Sequence, residues 1–456
     1  MRTLLRNATV VTMNSQKEIF ENCDLLLNDD RIERVPPQSL IAGIRADHDL
    51  NCTGKIIIPG LVSAHSHLTG IFQRGLWDET SFAKWQTKSN ATEELVNLSA
   101  EEIYSLHAAS CIEFLRNGVT TALNMFTVRP PLNAAKLDAA CRAFLDTGMR
   151  GILAVMLKDR SPDGEPLGTS ANDSWIGRVR EIAKQLGDIS SSVSFMLAPS
   201  APQLCSDEVL ISCRDLAEEL NIGIHTHVAE TKQQADLGRR LYGESIVKHL
   251  AKIGLLNSRL SIAHANWLDE DDMDLLIKHE VKVVHNPSAN TKLGTGFLKV
   301  KRMLNNGLTL GLGADSVNAG TVYSIFEQMK LCVLVPRVLW DPENWVLPEQ
   351  AFAMGTIGGA KALLLDKVIG SIEEGKKADL VILNPGTSLL PRNNIVSQLA
   401  LSENGKSVES VFVNGKRVVL EGHLQTVQEK DILPKLSALA PRIEAARQRV
   451  LGIRAQ

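Results

Sequence analysis

Ile56-Ile57-Ile58-Pro59-Gly60-Leu61-Val62-Ser63-Ala64-His65-Ser66-His67 is the stretch on which the reading of this chain turns. A β-branched, apolar run of this kind reads as a buried strand. On a strand, residues i and i+2 point to the same side. His65 and His67 therefore present two imidazoles to one point, as a metal ion requires. A lone His-x-His also occurs on exposed strands, so the weight falls on whether later strand ends supply the remaining ligands.

Working outward, seven further short apolar runs follow, at 119–126, 150–157, 193–198, 223–227, 260–264, 281–286 and 308–315. With 57–65 they make eight. Amphipathic stretches lie between them, at 101–117, 134–147, 175–186, 208–220 and 269–279. Strand and helix alternating over about 250 residues is the signature of a parallel (β/α)8 TIM barrel of the α/β class. A doubly wound open sheet is the runner-up, but no Gly-rich phosphate turn follows an early strand. The flanks differ from this core. Short two-faced strands at the N-terminus, and again at 408–413 and 417–419 around the Asn414-Gly415 hairpin turn, predict a small β-sandwich built from both chain ends. The expected boundaries are 1–56 and 367–425 for the two parts of the sandwich, 57–366 for the barrel, and 426–456 for a C-terminal helix, amphipathic over 435–450.

Composition narrows the function classes. Of 456 residues, 44% are hydrophobic and 22% charged, with a formal net charge of -3. No global field recruits nucleic acid or an anionic membrane. Seven cysteines are scattered without CxxC spacing, which argues for reduced thiols in the cytoplasm and against cysteine zinc sites. No apolar run approaches the roughly 20 residues of a membrane helix, and the first residues turn polar too early for a signal peptide. A cytoplasmic protein acting on a small molecule, as a homodimer or homotetramer, is expected.

Working residues of parallel barrels sit at the C-terminal strand ends. Here those ends collect His65 and His67, then His225 and His227 followed by Glu230, then His264, His285 and Asp315, from a chain with 11 histidines. A catalytic divalent metal takes three or four protein ligands plus water. His65, His67, one histidine of strand five and Asp315 would complete such a set. Strand four, 193–198, carries no Lys or Glu to bridge two metals, so one metal is expected. Glu230, just past the strand, is placed to work beside the metal. Buried histidines satisfied by backbone groups remain the bland reading for any one of these residues, but not for the set.

These motifs, with Gly118-Val119-Thr120-Thr121, His225-Thr226-His227-Val228-Ala229-Glu230-Thr231, His285-Asn286-Pro287-Ser288-Ala289-Asn290 and Gly311-Leu312-Gly313-Ala314-Asp315-Ser316, occur in an order that resembles the amidohydrolase superfamily over nearly the whole chain. The resemblance is to its branch of chlorohydrolases and aminohydrolases of triazines, adenosine derivatives and guanine. It implies His65, His67, His227 and Asp315 as ligands of one divalent metal, usually zinc, with iron, manganese and cobalt also compatible. It implies Glu230 and His264 as an acid/base pair, with Asp315 helping to deliver the proton to the leaving ammonia, and places His285 near the substrate. His225 matches a position that is not a ligand in single-metal members. A bound divalent metal lowers the pKa of water to about 7, so hydrolytic deamination of an N-heterocycle (pterin, purine, adenosine derivative or triazine) is expected.

The sequence departs from its relatives where specificity is set. Adenosine-type members commonly carry Pro-His-(Ala/Ser)-Pro after strand four, whereas Ser200 stands here in Pro199-Ser200-Ala201-Pro202. After Asp315 the chain reads Ser316-Val317-Asn318-Ala319-Gly320, another departure that makes Asn318 a candidate substrate contact. The usual arginines for a substrate carboxylate are not evident, although Arg150 opens strand three and Lys158 and Arg160 follow it. The long loop 68–85 supplies Gln73 and Trp77 as the better pocket candidates; fastening the loop to the barrel is the alternative role for Phe82 and Trp85, and the preferred one for Trp85. Hydrolysis of a ring C–Cl bond, or of an amide, urea or carbamate C–N bond, is the alternative chemistry. A scaffold that kept the fold without activity is the alternative from another class.

Overall fold

The computed structural model describes residues 1–35, 44–127, 134–167, 180–181 and 192–452. The expected helix at 175–186 lies almost wholly outside them. Strands β1 (Arg2–Val11), β2 (Ile19–Asn28), β3 (Arg31–Arg34), β4 (His48–Asn51) and β5 (Ile56–Pro59) open the chain. The barrel strands are β6 (Leu61–Ser63), β7 (Val119–Phe126), β8 (Arg150–Leu157), β9 (Val193–Pro199), β10 (Gly223–Val228), β11 (Leu260–His264), β12 (Lys282–His285) and β13 (Leu310–Leu312). After them come β14 (Leu380–Leu383), β15 (Val408–Val413), β16 (Lys416–Leu420) and β17 (His423–Leu424).

The eight strands β6 to β13 pair in chain order, every pair parallel. The ring closes where the Ala64 amide donates to Leu312 O at 2.8 Å and the Asp315 amide to His65 O at 3.1 Å. The expected TIM barrel is therefore the observed one. Several of its helices begin on side-chain caps, among them reciprocal capping boxes at Ser99, Thr231 and Asp269. Buried strands such as β7 face helices outside and packed side chains inside, which is why they read as unbroken apolar runs.

The chain ends meet in one sheet. β5 pairs β1 in parallel and β14 antiparallel, so the expected sandwich is a single nine-stranded mixed sheet. It folds over its own core of Leu5, Val10, Leu25, Ile57, Leu380 and Phe412. This revises the boundary expected at 57. Residues Ile56–Pro59 belong to the terminal sheet, and the barrel begins at Leu61. The switch takes one residue: the Gly60 amide donates to Asp379 O at 2.9 Å, and the next amide, Leu61, to Gly118 O at 3.0 Å. A Cβ on Gly60 would lie 2.1 Å from Thr120 Oγ1, so only glycine fits where the two sheets share the chain.

Two other expectations change. The stretch 68–85 is not a free loop; a short helix, Leu68–Gln73, leads through a turn into a second, Phe82–Val96. The C-terminal tail is two helices, Glu429–Ser437 and Ala440–Val450, rather than one. No helix among the described residues is long and apolar enough to cross a membrane.

Candidate metal centre

His65 and His67 follow β6 directly. The Met125 amide donates to Ser66 O at 2.8 Å, holding the segment along β7 as the Asp315 amide holds its other side. The i, i+2 relation thus survives past the formal strand end, and the two rings lie 4.9 Å apart between centroids. His227 comes from β10, His264 from the last residue of β11, and Asp315 from the turn after β13. His264 and Asp315 both adopt left-handed backbone, φ 69° and 57°. Non-glycine residues hold that conformation at a cost that surrounding structure must offset, a pattern concentrated at functional sites.

These side chains converge. His65 Nε2 and His67 Nε2 lie 3.7 and 3.8 Å from Asp315 Oδ1, and His67 Nε2 lies 3.3 Å from His227 Nε2. One ligand atom each from His65, His67 and Asp315, and likewise from His65, His227 and His264, falls within 4.8 Å of the others. The far nitrogens decide what the near ones can do. His67 Nδ1 donates to Met125 O at 2.7 Å and His227 Nδ1 to Ser200 O at 2.6 Å. A carbonyl only accepts, so both Nε2 atoms carry bare lone pairs, aimed at each other across 3.3 Å. Two facing lone pairs repel unless a cation sits between them. His65 repeats the arrangement: Nδ1 bonds His225 Nε2 at 2.9 Å, and its buried Nε2 has no hydrogen-bond partner among the described residues. Burial and the neighbouring rings hold His65 and His227 well below the usual imidazole range, and burial lowers His67 as well. Neutral imidazoles with orphaned, convergent lone pairs beside a carboxylate are what a divalent metal takes.

His225 belongs to the layer beneath. Its Nδ1 contacts Ser261 Oγ at 2.7 Å, and burial pushes its pKa to about 3. It orients His65 rather than reaching the centre. Glu230 and His264 stand beside it: His264 Nε2 is 3.8 Å from Glu230 Oε1 and 3.7 Å from Asp315 Oδ2. Burial raises the Glu230 pKa from its ordinary value.

A cavity opens over this cluster, with Ser200, Gln73 and Asn318 in its wall together with Phe72, Met125 and Met156. Trp77 and His285 are not in that wall. Trp77 sits in a left-handed turn with Lys88 over its ring at 4.9 Å, and buried His285 packs edge-to-face on Phe297. The aromatic rings in the wall are Phe72, Phe82 and Trp85; the last two also pack on Ala289, Leu293 and Ala319, so they fasten the segment to the barrel, as expected, and line the cavity as well. The available signal was helical spacing. Phe82, Trp85, Gln86, Ser89, Asn90 and Glu93 fall on one face of a helix, but its mixed polarity does not mark it as a core stripe. The Asn318 side chain is spent internally, accepting from Ser316 Oγ at 2.5 Å and donating to Ser89 Oγ at 3.2 Å. Gln73 Nε2 likewise donates to Ser89 O at 3.2 Å. Ser200 serves through its carbonyl, which any residue could provide. Arg150 lies at the start of β8, at the opposite end of the barrel, bonded to Asp379.

A TIM barrel with a His/Asp cluster at its C-terminal mouth and a carboxylate at its side is the architecture of a metal-dependent hydrolase. Residues 56–418 match the Amidohydrolase family, and the chain belongs to it. It is 31% identical over 443 residues to a 5-methylthioadenosine/S-adenosylhomocysteine deaminase of Thermoanaerobacter pseudethanolicus, covering 95% of this chain and 97% of that one. A Bacillus cereus protein of the same name is 30% identical over 442 residues, at 95% and 97% coverage. Among solved structures, a zinc-bound adenosine deaminase from Xanthomonas campestris superposes with a TM-score of 0.89 at 24% identity, covering 97% of this chain and 98% of that one. Zinc-bound atrazine chlorohydrolase from Arthrobacter aurescens gives 0.88 at 22% identity, at 96% and 100% coverage.

Proposed function

We propose that this protein is a metal-dependent deaminase of an adenosine derivative, exchanging the exocyclic amino group of the purine for oxygen and releasing ammonia. The observation that carries the reading is the Glu230–His264–Asp315 cluster beside the convergent Nε2 atoms. The names of the curated relatives support the adenosine part. His65, His67, His227 and Asp315 would hold one divalent metal, zinc by the preference of a three-histidine, one-carboxylate set. When bound, the metal supplies a water acidic enough to ionise near neutral pH.

The chain's own groups do the rest. Glu230 takes the proton of the attacking water and passes it to the ring nitrogen next to the reacting carbon, making that carbon more electrophilic. A carboxyl whose pKa burial has raised suits both halves of such a transfer. His264, with Nε2 turned to Glu230 and Asp315, orients the water. Asp315 then helps deliver the proton that lets ammonia leave, a step that a chloride leaving group would not need. Phe82 and Trp85 provide apolar faces for a flat heterocycle.

The test is a release assay on zinc-loaded protein. 5′-Methylthioadenosine, S-adenosylhomocysteine and adenosine are offered beside a chlorotriazine and an aryl carbamate. Ammonia from at least one adenosine compound, lost on chelation and restored by zinc, is expected. Chloride or amine release without ammonia would overturn the reading.

A further inference from the structure

Behind the candidate acid/base pair runs a hydrogen-bond chain that connects its two members from the rear. Asn266 Nδ2 donates to Glu230 O at 3.0 Å, Asn290 Nδ2 donates to Asn266 Oδ1 at 3.0 Å, and His264 Nδ1 lies 2.8 Å from Asn290 Oδ1. An amide has one donating and one accepting end and can turn over, so the polarity of such a chain needs an anchor. The anchor is the Glu230 carbonyl, which can only accept. It therefore fixes the NH2 end of Asn266 towards itself and the oxygen of Asn266 towards Asn290. That in turn fixes the NH2 end of Asn290, leaves the Asn290 oxygen for His264, and requires the His264 proton on Nδ1. Thr295 Oγ reinforces this orientation, donating to the same Asn290 oxygen at 3.3 Å. The competing contact, the Asn286 NH2 group, stands 3.5 Å from His264 Nδ1 and is too long to reverse it. Asn290 and His264 are each 1% exposed, so solvent does not compete for these groups.

We infer that Asn266 and Asn290 are positioning residues that set the tautomer of His264. With the proton on Nδ1, the Nε2 lone pair faces the site, 3.8 Å from Glu230 and 3.7 Å from Asp315. With the asparagines reversed, an NH2 group would face Nδ1, the proton would move to Nε2, and His264 would present a donor where the chemistry needs an acceptor. Through its carbonyl, the backbone of one member of the pair thus determines the protonated nitrogen of the other. The catalytic half of this inference rests on the deaminase reading; the tautomer half does not.

The discriminating experiment uses the fact that a carboxylate accepts at either end. Asn266→Leu releases the Asn290 amide to turn over. Adding Asn290→Asp offers His264 Nδ1 an oxygen whichever way the side chain lies. Asn266→Leu is expected to lower kcat by about 10- to 100-fold, at or below the roughly 10²- to 10⁴-fold that a positioned acid or base itself supplies, with KM changed less than about threefold and metal content unchanged. Asn290→Asp in that background should return most of the lost kcat. A packing role predicts no such rescue, and absence of rescue in a folded, metal-loaded double variant overturns the inference. So does an unchanged kcat in Asn266→Leu. Nitrogen-15 shifts of His264 in metal-free protein give a readout without turnover, with Nδ1–H in the parent chain and Nε2–H or a mixture in Asn266→Leu. If the parent chain deaminates nothing, these shifts still decide the tautomer; if they show Nε2–H in the parent, the inference fails while the deaminase reading stands.

Discussion

At the scale of single residues, the centre is defined by which nitrogen of each histidine is already occupied. His67 and His227 spend Nδ1 on the carbonyls of Met125 and Ser200, so each turns a bare Nε2 inward. His65→Ala should reduce bound metal well below one per chain, measured by elemental analysis of dialysed protein, because its buried Nε2 has no hydrogen-bond partner among the described residues. Glu230→Gln keeps the shape and loses the proposed proton carrier. It should retain metal while turnover falls by 10²- to 10⁴-fold, and intact turnover would sink the shuttle assignment. Trp85→Ala should raise KM more than it lowers kcat, because the ring lines the cavity without reaching the centre; steady-state kinetics separates the two. His65 and His67 were legible from strand periodicity, and Glu230 and Asp315 from their place at strand ends. The contrast between Trp77 and Trp85 was not. So far past the end of β6, the direction of a side chain depends on turns that periodicity does not encode.

Among the elements, the run from Ile56 to Ser63 is two strands in two sheets, joined at Gly60. Its side chains are buried throughout, so the hydrophobic pattern shows no seam. The seam lies in the hydrogen bonds, where consecutive amides bond Asp379 and Gly118. Gly60→Ala must displace Thr120, whose Oγ1 would lie 2.1 Å from the new Cβ. Overpacking of this kind costs about 1–3 kcal/mol, and urea denaturation of the variant should show a lower midpoint. The helix Phe82–Val96 illustrates the converse. Its polar residues look solvent-facing, yet Ser89 bonds Gln73 and Asn318 and closes the cavity wall against the turn that carries Asp315.

Across the whole molecule, the barrel and the terminal sheet are joined by a buried ion pair. Arg150, at the start of β8, reaches Asp379 at 2.9 and 3.0 Å and also bonds Asn414 in the β15–β16 turn. Their side chains are 5% and 1% exposed. Removing one partner strands the other charge, so Asp379→Ala should cost about 3–5 kcal/mol, whereas Arg150→Met with Asp379→Leu should be much milder. Denaturant titration of the three proteins checks this. Loss as large in the double variant as in the single would show that the pair contributes more than charge compensation. Nothing local suggested the pairing, since 229 residues separate the two partners.

The order of strand and helix, the barrel, and the identity of the clustered histidines and carboxylates were all legible in the amino-acid pattern. These follow from local rules: side-chain period, burial of parallel strands, and the position of strand ends in a ring. The His-x-His after Ile58-Pro59-Gly60 could be read as half of a site because one strand places both rings. Tertiary structure alone decided which sheet each half of that run joins, which aromatic rings face the cavity, and which nitrogen of each ring is free. Those outcomes depend on hydrogen-bond partners contributed from distant segments. An amide or imidazole takes its orientation from its neighbour, and here that neighbour is a carbonyl brought in by the fold.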